Sequence, residues 1–247
     1  MADDASPLEP MDEDWERGLV VIAHPDDIEY GGSAAIARWT AAGKHVAYVL
    51  ATRGEAGIDS LPPAECAPIR EAEQIASAAA VGVDVVEFLD HRDGVIVEGV
   101  ELRRDIAGAI RRHRPELIVT LNHHDHWGFG ARNTADHRAV GRATLDAVAD
   151  AGNRWIFPEL IGDGGHEPWS GVRWVAVAGS PQPTHAVDVS DKVEAAVQSL
   201  LCHRAYIEAL TDEEPEDYVR SFLTGTMAGA GERFGGRPAV AFEVIPC

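Results

Sequence analysis

The chain has 247 residues, 45% of them hydrophobic, which is enough to bury one large core, and a single domain is expected. Forty-one Asp and Glu against 21 Lys and Arg give a formal net charge of -20, which opposes phosphate neutralisation and argues against nucleic acid or an anionic membrane as partner. The three cysteines, at 66, 202 and 247, include no Cys-x-x-Cys pair, so neither a disulfide framework nor a thiolate zinc site is indicated, and a reducing cytoplasm fits.

The first residues, MADDASPLEPMDEDWERG, are acidic and lack the basic and apolar regions of a secretory signal; no apolar run approaches the ~20 residues that span a bilayer. Residues 1–17 are expected to form a flexible or loosely docked arm ahead of one domain over 18–247. β-branched runs then alternate with Ala-rich stretches. Leu19 to Ala23 reads as a strand before a helix near 33–42, and Val46 to Ala51 as a strand before a loop and a helix near 68–81. Val85 to Leu89 precedes a helix near 101–113; Leu117 to Leu121 precedes a long loop and a helix near 135–150. Gly43, Gly82 and Gly152 stand where helices should stop.

After Gly152 the rhythm breaks. Pro158, Gly162, Gly164, Gly165, Pro168, Gly171, Pro181 and Pro183 surround a strand candidate at Arg173 to Ala178, and a helix near 191–210 follows. The remainder, 211–247, mixes acids and glycines with one more strand candidate at Ala239 to Ile245. The expected fold is α/β: a Rossmann-like open parallel sheet with helices on both faces and an irregular C-terminal extension.

Such sheets bind ligands at the carboxyl ends of their strands. The first strand runs straight into His24-Pro25-Asp26-Asp27, where Pro25 stiffens the turn and the two adjacent carboxylates must point differently. An imidazole and two carboxylates left unpaired would waste desolvation energy, whereas a divalent cation relieves it. A catalytic zinc takes three protein ligands and keeps an open position. His24 and Asp27 supply two, with Asp26 free to address water. Asp136-His137, opening the helix after the fourth strand, qualifies for the third, with Asp136 able to orient an imidazole.

The stretches AHPDDIEYG at 23–31 and ADHRAVGRA at 135–143 resemble the zinc-dependent de-N-acetylases known as LmbE-like or PIG-L deacetylases, which act on N-acetylglucosaminyl lipids, thiols and antibiotics. TRGEAG at 52–57, Arg70 to Glu73 and Asp93-Gly94 match more weakly, and the resemblance spans roughly residues 19–145. It implies one zinc per chain on His24, Asp27 and His137, with Asp26 as the general base toward a water held at the metal. It also implies that Glu55, Arg70 and Asp93 line the sugar-binding end. The implied partner is a small molecule, an N-acyl amino sugar or glycosylated metabolite; a homo-oligomer stays open. Ferrous iron on the same two-His, one-carboxylate set is the other metal that the residues allow.

The family pattern His-Pro-Asp-His has Thr134 in place of its first His, the group that stabilises the oxyanion. A threonine donates one hydrogen bond and carries no charge. His123, His124, His126 and His166 are the candidates to compensate, and His123, just after the fourth strand, is preferred as the second catalytic residue. Three histidines in four residues could instead hold a metal of their own or form an exposed loop. Ile28 where Glu is common, and Ser33-Ala34 for Gly-Gly, bear on substrate specificity rather than on the ligands. Trp127, Phe129, Trp155, Trp169 and Trp174 are candidates for an aromatic mouth, although packing is the commoner role. Two rival readings remain: a metal-dependent hydratase of an unsaturated carboxylate on the same scaffold, and a non-catalytic metal-binding module. A dinucleotide site lacks its Gly-x-Gly-x-x-Gly, and serine chemistry lacks its Gly-x-Ser-x-Gly elbow.

Overall fold

Strand β2 (Arg17–Ile22) alternates its side chains between two buried faces, Leu19 and Val21 on one and Val20 and Ile22 on the other, each exposed by 1% or less. A strand apolar on both sides needs helices on both sides. In the computed structural model, which describes residues 6–162 and 165–247, it has them. One apolar layer packs Val20 and Ile22 against α2 (Ser33–Ala41), α3 (Pro63–Ala80) and α6 (Val193–Leu201). The other packs Leu19 and Val21 against α4 (Val100–His113) and α5 (Ala135–Gly152).

From β2 the chain steps outward through β3 (His45–Leu50) and β4 (Val85–Phe88), then returns to the opposite side of β2 as β5 (Leu117–Leu121) and β6 (Trp174–Ala178), all parallel. That reversal opens a crevice beyond the carboxyl ends of β2 and β5. Beyond β6 lie β8 (Ala239–Pro246) and β7 (His185–Asp188), antiparallel to each other, and at the edge β1 (Glu9–Pro10). The sheet is therefore eight-stranded and mostly parallel: an open parallel sheet is what the sequence predicts, whereas β1, β7 and the antiparallel direction of β8 are not.

Several elements differ from the sequence reading. The helix expected from 68 begins at Pro63, because Pro62 is extended and Pro63 occupies the first helical position, where a missing N–H costs nothing. The single helix expected near 191–210 is broken at Cys202–His203 into α6 and α7 (Arg204–Leu210), turning the His203 ring wholly inward. The supposedly irregular tail contains α8 (Pro215–Glu232), which buries Val219, Leu223 and Met227 at four-residue spacing. Gly43 and Gly82 take positive φ (88° and 78°) after their helices, whereas Gly152 is itself the last helical residue. Gly164 lies outside the described residues, as do residues 1–5 of the expected arm.

The rest of that arm is docked rather than flexible. Leu8, Met11 and Trp15 are buried, Trp15 meets Trp39 edge-on at 5.2 Å, and Lys44 Nζ sits 4.6 Å above the Trp15 ring while donating to the Glu13 carbonyl at 2.6 Å. The acidic composition concealed three apolar anchors.

Candidate active site and metal centre

The loop leaving β2 turns at Asp26, whose φ of 86° and ψ of -21° are left-handed, a conformation uncommon for a residue with a side chain. Three contacts from α3 hold it there. The Asp26 N–H donates to Gln74 Oε1 at 3.0 Å, and Arg70 Nη2 donates to the Pro25 carbonyl at 2.6 Å and to Asp26 Oδ2 at 3.1 Å. Asp27 then starts the short helix α1 (Asp27–Gly31) pointing the other way.

Asp27 Oδ2 accepts from the Ala23 and His24 backbone N–H groups at 3.0 and 2.8 Å, and Asp27 Oδ1 lies 3.0 Å from His137 Nε2. His24 Nδ1 is 3.6 Å from Asp27 Oδ2. One ligand atom from each of His24, Asp27 and His137 thus falls within 4.8 Å of the other two, with the His24 and His137 ring centroids 5.2 Å apart. The remaining ring nitrogens are spoken for. His137 Nδ1 is 3.0 Å from Asn133 Oδ1, and His24 Nε2 is 3.1 Å from Asp93 Oδ1 and 3.2 Å from Asp136 Oδ2. Those partners fix each ring so that His24 Nδ1 and His137 Nε2 face inward, the outer-shell arrangement typical of metal-bound imidazoles.

A second grouping, His24 with Asp93 and Asp136, shares His24. It is a poorer metal cage, because Asp136 already accepts from the Gly94 and Ile96 N–H groups and Asp93 from Ala56 N–H. The donor set His24 Nδ1, Asp27 and His137 Nε2 suits a borderline divalent ion and leaves room for further ligands.

Charge is concentrated here. Burial alone would lower the His24 pKa, but Asp27, Asp136 and Asp93 raise it well above the ordinary value. Burial alone would raise Asp27, yet His137 and His24 hold its carboxyl far below the carboxylate range. Asp26 behaves oppositely: burial pushes it up to about 6, against the pull of Arg70 and with the push of Asp27.

Residues 19–148 match the family model PIG-L, GlcNAc-PI de-N-acetylase, covering more than half of the chain. The chain belongs to the PIG-L family. It is 29% identical over 240 residues to the diacetylchitobiose deacetylase of Thermococcus kodakarensis, covering 94% of this chain and 87% of the relative. It is also 29% identical over 238 residues to the 1D-myo-inositol 2-acetamido-2-deoxy-alpha-D-glucopyranoside deacetylase of Thermobifida fusca, covering 85% and 77%. Among solved structures it resembles the N,N'-diacetylchitobiose deacetylase of Pyrococcus horikoshii complexed with its inhibitor MPG. The TM-score is 0.84 at 25% identity, over 95% of this chain and 85% of that one. Each of these relatives is a deacetylase, hence an amide hydrolase, and PIG-L deacetylases are metal-dependent. Among the described residues no helix is long and apolar enough to cross a membrane.

Around the PIG-L cluster opens a cavity of about 690 Å³. His24, Asp26, Asp27, His137, Arg70 and Asp93 all line it. Glu55 does not: its carboxylate accepts from the Arg53 and Asp93 N–H groups at 3.2 and 2.9 Å, so it braces the loop that presents Asp93. His123 is not among the lining residues either. Its Cβ packs close to α5, where a Cβ on Gly141 would come within 2.7 Å of it, and its ring lies 4.2 Å from that of His124. His166 lies in the insert, its N–H bonded to the Leu160 carbonyl.

Thr134 does line the cavity. As the N-cap of α5 its Oγ1 accepts from the His137 N–H at 3.3 Å, which leaves the hydroxyl proton available to donate. Of the candidate aromatic residues, Trp127 and Phe129 reach the cavity, with ring planes within 3° of parallel, while Trp169 packs and bonds the Pro115 carbonyl. The opposite wall comes from α7, α8 and β8: Tyr206, Phe222, Leu223, Met227 and Val240. Burial raises the pKa of Tyr206, so its hydroxyl stays protonated. None of these wall residues carries a sequence motif, nor does Asn133, and only the four-residue spacing in α8 could have revealed that helix.

Proposed function

We propose that the chain is a zinc-dependent de-N-acetylase that hydrolyses the N-acetyl amide of an N-acetylglucosamine-type sugar joined to a second, partly apolar group. The observation that carries this reading is the convergence of His24 Nδ1, Asp27 and His137 Nε2 beside a separate buried carboxylate, Asp26, at the floor of one cavity. The names of its relatives supply the sugar, and the apolar wall supplies the second group. Zinc held by the three ligands would polarise the amide carbonyl and ease deprotonation of water at neutral pH.

The chain's own residues divide the remaining work. Asp26, with a pKa near 6, is mostly ionised at neutral pH yet readily protonated, which suits a group that takes a proton from water and returns it to the leaving amine. Its Oδ2 is tethered to Arg70, so one lone-pair direction is fixed and Oδ1 is left to meet the proton. Thr134 offers one neutral hydrogen bond where the oxyanion forms, less than the imidazolium of family relatives would give. Asp93, held by Ala56 N–H through Oδ2, presents Oδ1 toward His24 and the sugar end of the cavity.

The test is release of acetate and primary amine from N,N'-diacetylchitobiose, from N-acetylglucosaminyl-inositol and from N-acetylglucosamine bearing an aromatic or alkyl aglycone, using zinc-loaded protein. Amide cleavage that fails when His137→Ala removes a ligand is expected. No cleavage of any acetamido sugar, with hydration of an unsaturated carboxylate instead, would overturn the deacetylase reading and leave the metal centre standing.

A further inference from the structure

Just past the end of β5, a second cluster gathers. His123 and His124 follow β5, and Glu243 lies in β8, on the other side of β6. Ligand atoms of these three residues lie within 4.8 Å of one another. The two imidazole centroids are 4.2 Å apart with planes at 31°, although neighbouring residues leaving a strand ordinarily point to opposite sides. His124 Nε2 is 2.8 Å from Glu243 Oε2, and Ser180 Oγ donates to the same oxygen at 2.6 Å.

Hydrogen bonding does not account for the whole cluster. His123 Nδ1 is buried with no partner among the described residues. Two imidazoles and one carboxylate, braced by a hydroxyl, form the same class of donor set as the catalytic cluster.

We propose that His123, His124 and Glu243 form a second metal site, for a borderline divalent ion such as Zn2+, Co2+ or Ni2+, distinct from the cluster of His24, Asp27 and His137. Imidazole donors disfavour Mg2+ and Ca2+ there. Tetrahedral ligands at about 2.0–2.1 Å from zinc stand roughly 3.3 Å apart, so His124 Nε2 and Glu243 Oε2 need separate by only about half an ångström to admit the ion. The ion would staple the segment after β5 to β8. That segment is bonded in turn to Asn133, whose Nδ2 donates to the Asn122 carbonyl at 2.6 Å and the His124 carbonyl at 3.0 Å while its Oδ1 faces His137.

Chelator-stripped full-length protein is dialysed against Zn2+, and separately against Co2+, and its metal content measured. Two equivalents are expected for the wild type, one for the double variant His24→Ala, His137→Ala, and one for His124→Ala. A wild type that stops at one equivalent, with none left in the His24→Ala, His137→Ala protein, would overturn the proposal. One equivalent that survives in that variant but vanishes in His124→Ala would uphold this site and remove the catalytic one. Should His124→Ala unfold, anomalous diffraction at the zinc edge from wild-type crystals decides: a peak flanked by His123, His124 and Glu243 supports the site, and a peak solely at His24, Asp27 and His137 refutes it.

Discussion

Replacing Arg70 by Met tests whether the base is tuned by this buried guanidinium or merely sits beside it. Arg70 is 1% exposed, and its Nη2 lies 3.1 Å from Asp26 Oδ2. At an effective dielectric constant near 20, two unit charges at that separation attract by 332/(20 × 3.1), roughly 5 kcal/mol, an upper limit before relaxation and water entry. An opposite charge so placed shifts a carboxyl by about one to three pKa units, each unit being about 1.4 kcal/mol. Asp26, already pushed up to about 6 by burial, would therefore titrate above neutrality in Arg70→Met. The sign follows: a raised pKa keeps the base protonated over a wider range, so activity is lost at low pH and regained at high pH. The measurement is kcat/KM from pH 5 to pH 10 with zinc-loaded enzyme, against Arg70→Lys as the variant that keeps a charge. An acidic limb displaced upward by roughly one to three units in Arg70→Met, and by less in Arg70→Lys, is expected. A uniform loss at every pH, with the limb unmoved, would mean that Arg70 contributes shape or substrate contact and no control of the base.

Asp26→Asn should keep its metal and lose turnover by about 10²–10⁴-fold or more, since the amide accepts no proton; near-wild-type activity would remove Asp26 from proton transfer. Because carboxylates hold the His24 pKa well above its ordinary value, metal binding at neutral pH must displace a proton, so affinity falls as pH falls. Calorimetry in two buffers of different ionisation enthalpy should show proton release, and identical heats would contradict it. Asn133→Leu should weaken metal binding by roughly 10–100-fold, because it removes the acceptor for His137 Nδ1–H; competition against a chelating dye reads the change, and an unchanged affinity would deny Asn133 that role. Trp15→Ala should cost about 3–5 kcal/mol in denaturant unfolding, as for a buried aromatic residue in any core, whereas a change below about 0.5 kcal/mol would restore the picture of a loose arm.

Much of the fold and the centre of the site are legible in the residues. Leu19 to Ile22 alternates between two apolar faces, and a strand buried on both sides announces helices on both, so the crevice after His24 follows from topology. Asp26 and Asp27 separate into two roles because adjacent residues in a stiff turn cannot face one direction. Legibility ends where the backbone has no periodic constraint. Nothing in strand alternation says which way His123 turns after β5, where α5 approaches closely at Gly141. Helix α8 hides its spacing of Val219, Leu223 and Met227 among Gly225, Gly229 and Gly231, residues that lower helix propensity. Cys202–His203 breaks a helix with no glycine or proline to announce it, and the His203 ring at the break is wholly buried. In the N-terminal segment, acid composition outweighs three apolar anchors on any average, yet those anchors decide where the segment lies.

The proposed ligands and base sit between residues 24 and 137, whereas Tyr206, Phe222, Leu223, Met227 and Val240 line the cavity from later in the chain. On the proposed reading, the chemistry and one apolar wall of the cavity thus belong to different stretches of one chain. Mutational drift after residue 205 can remodel what fits the cavity while every group that touches the metal or moves the proton stays in place. A lineage built this way can acquire a new aglycone without passing through an inactive ancestor, and a laboratory library confined to α7, α8 and β8 would search the same space.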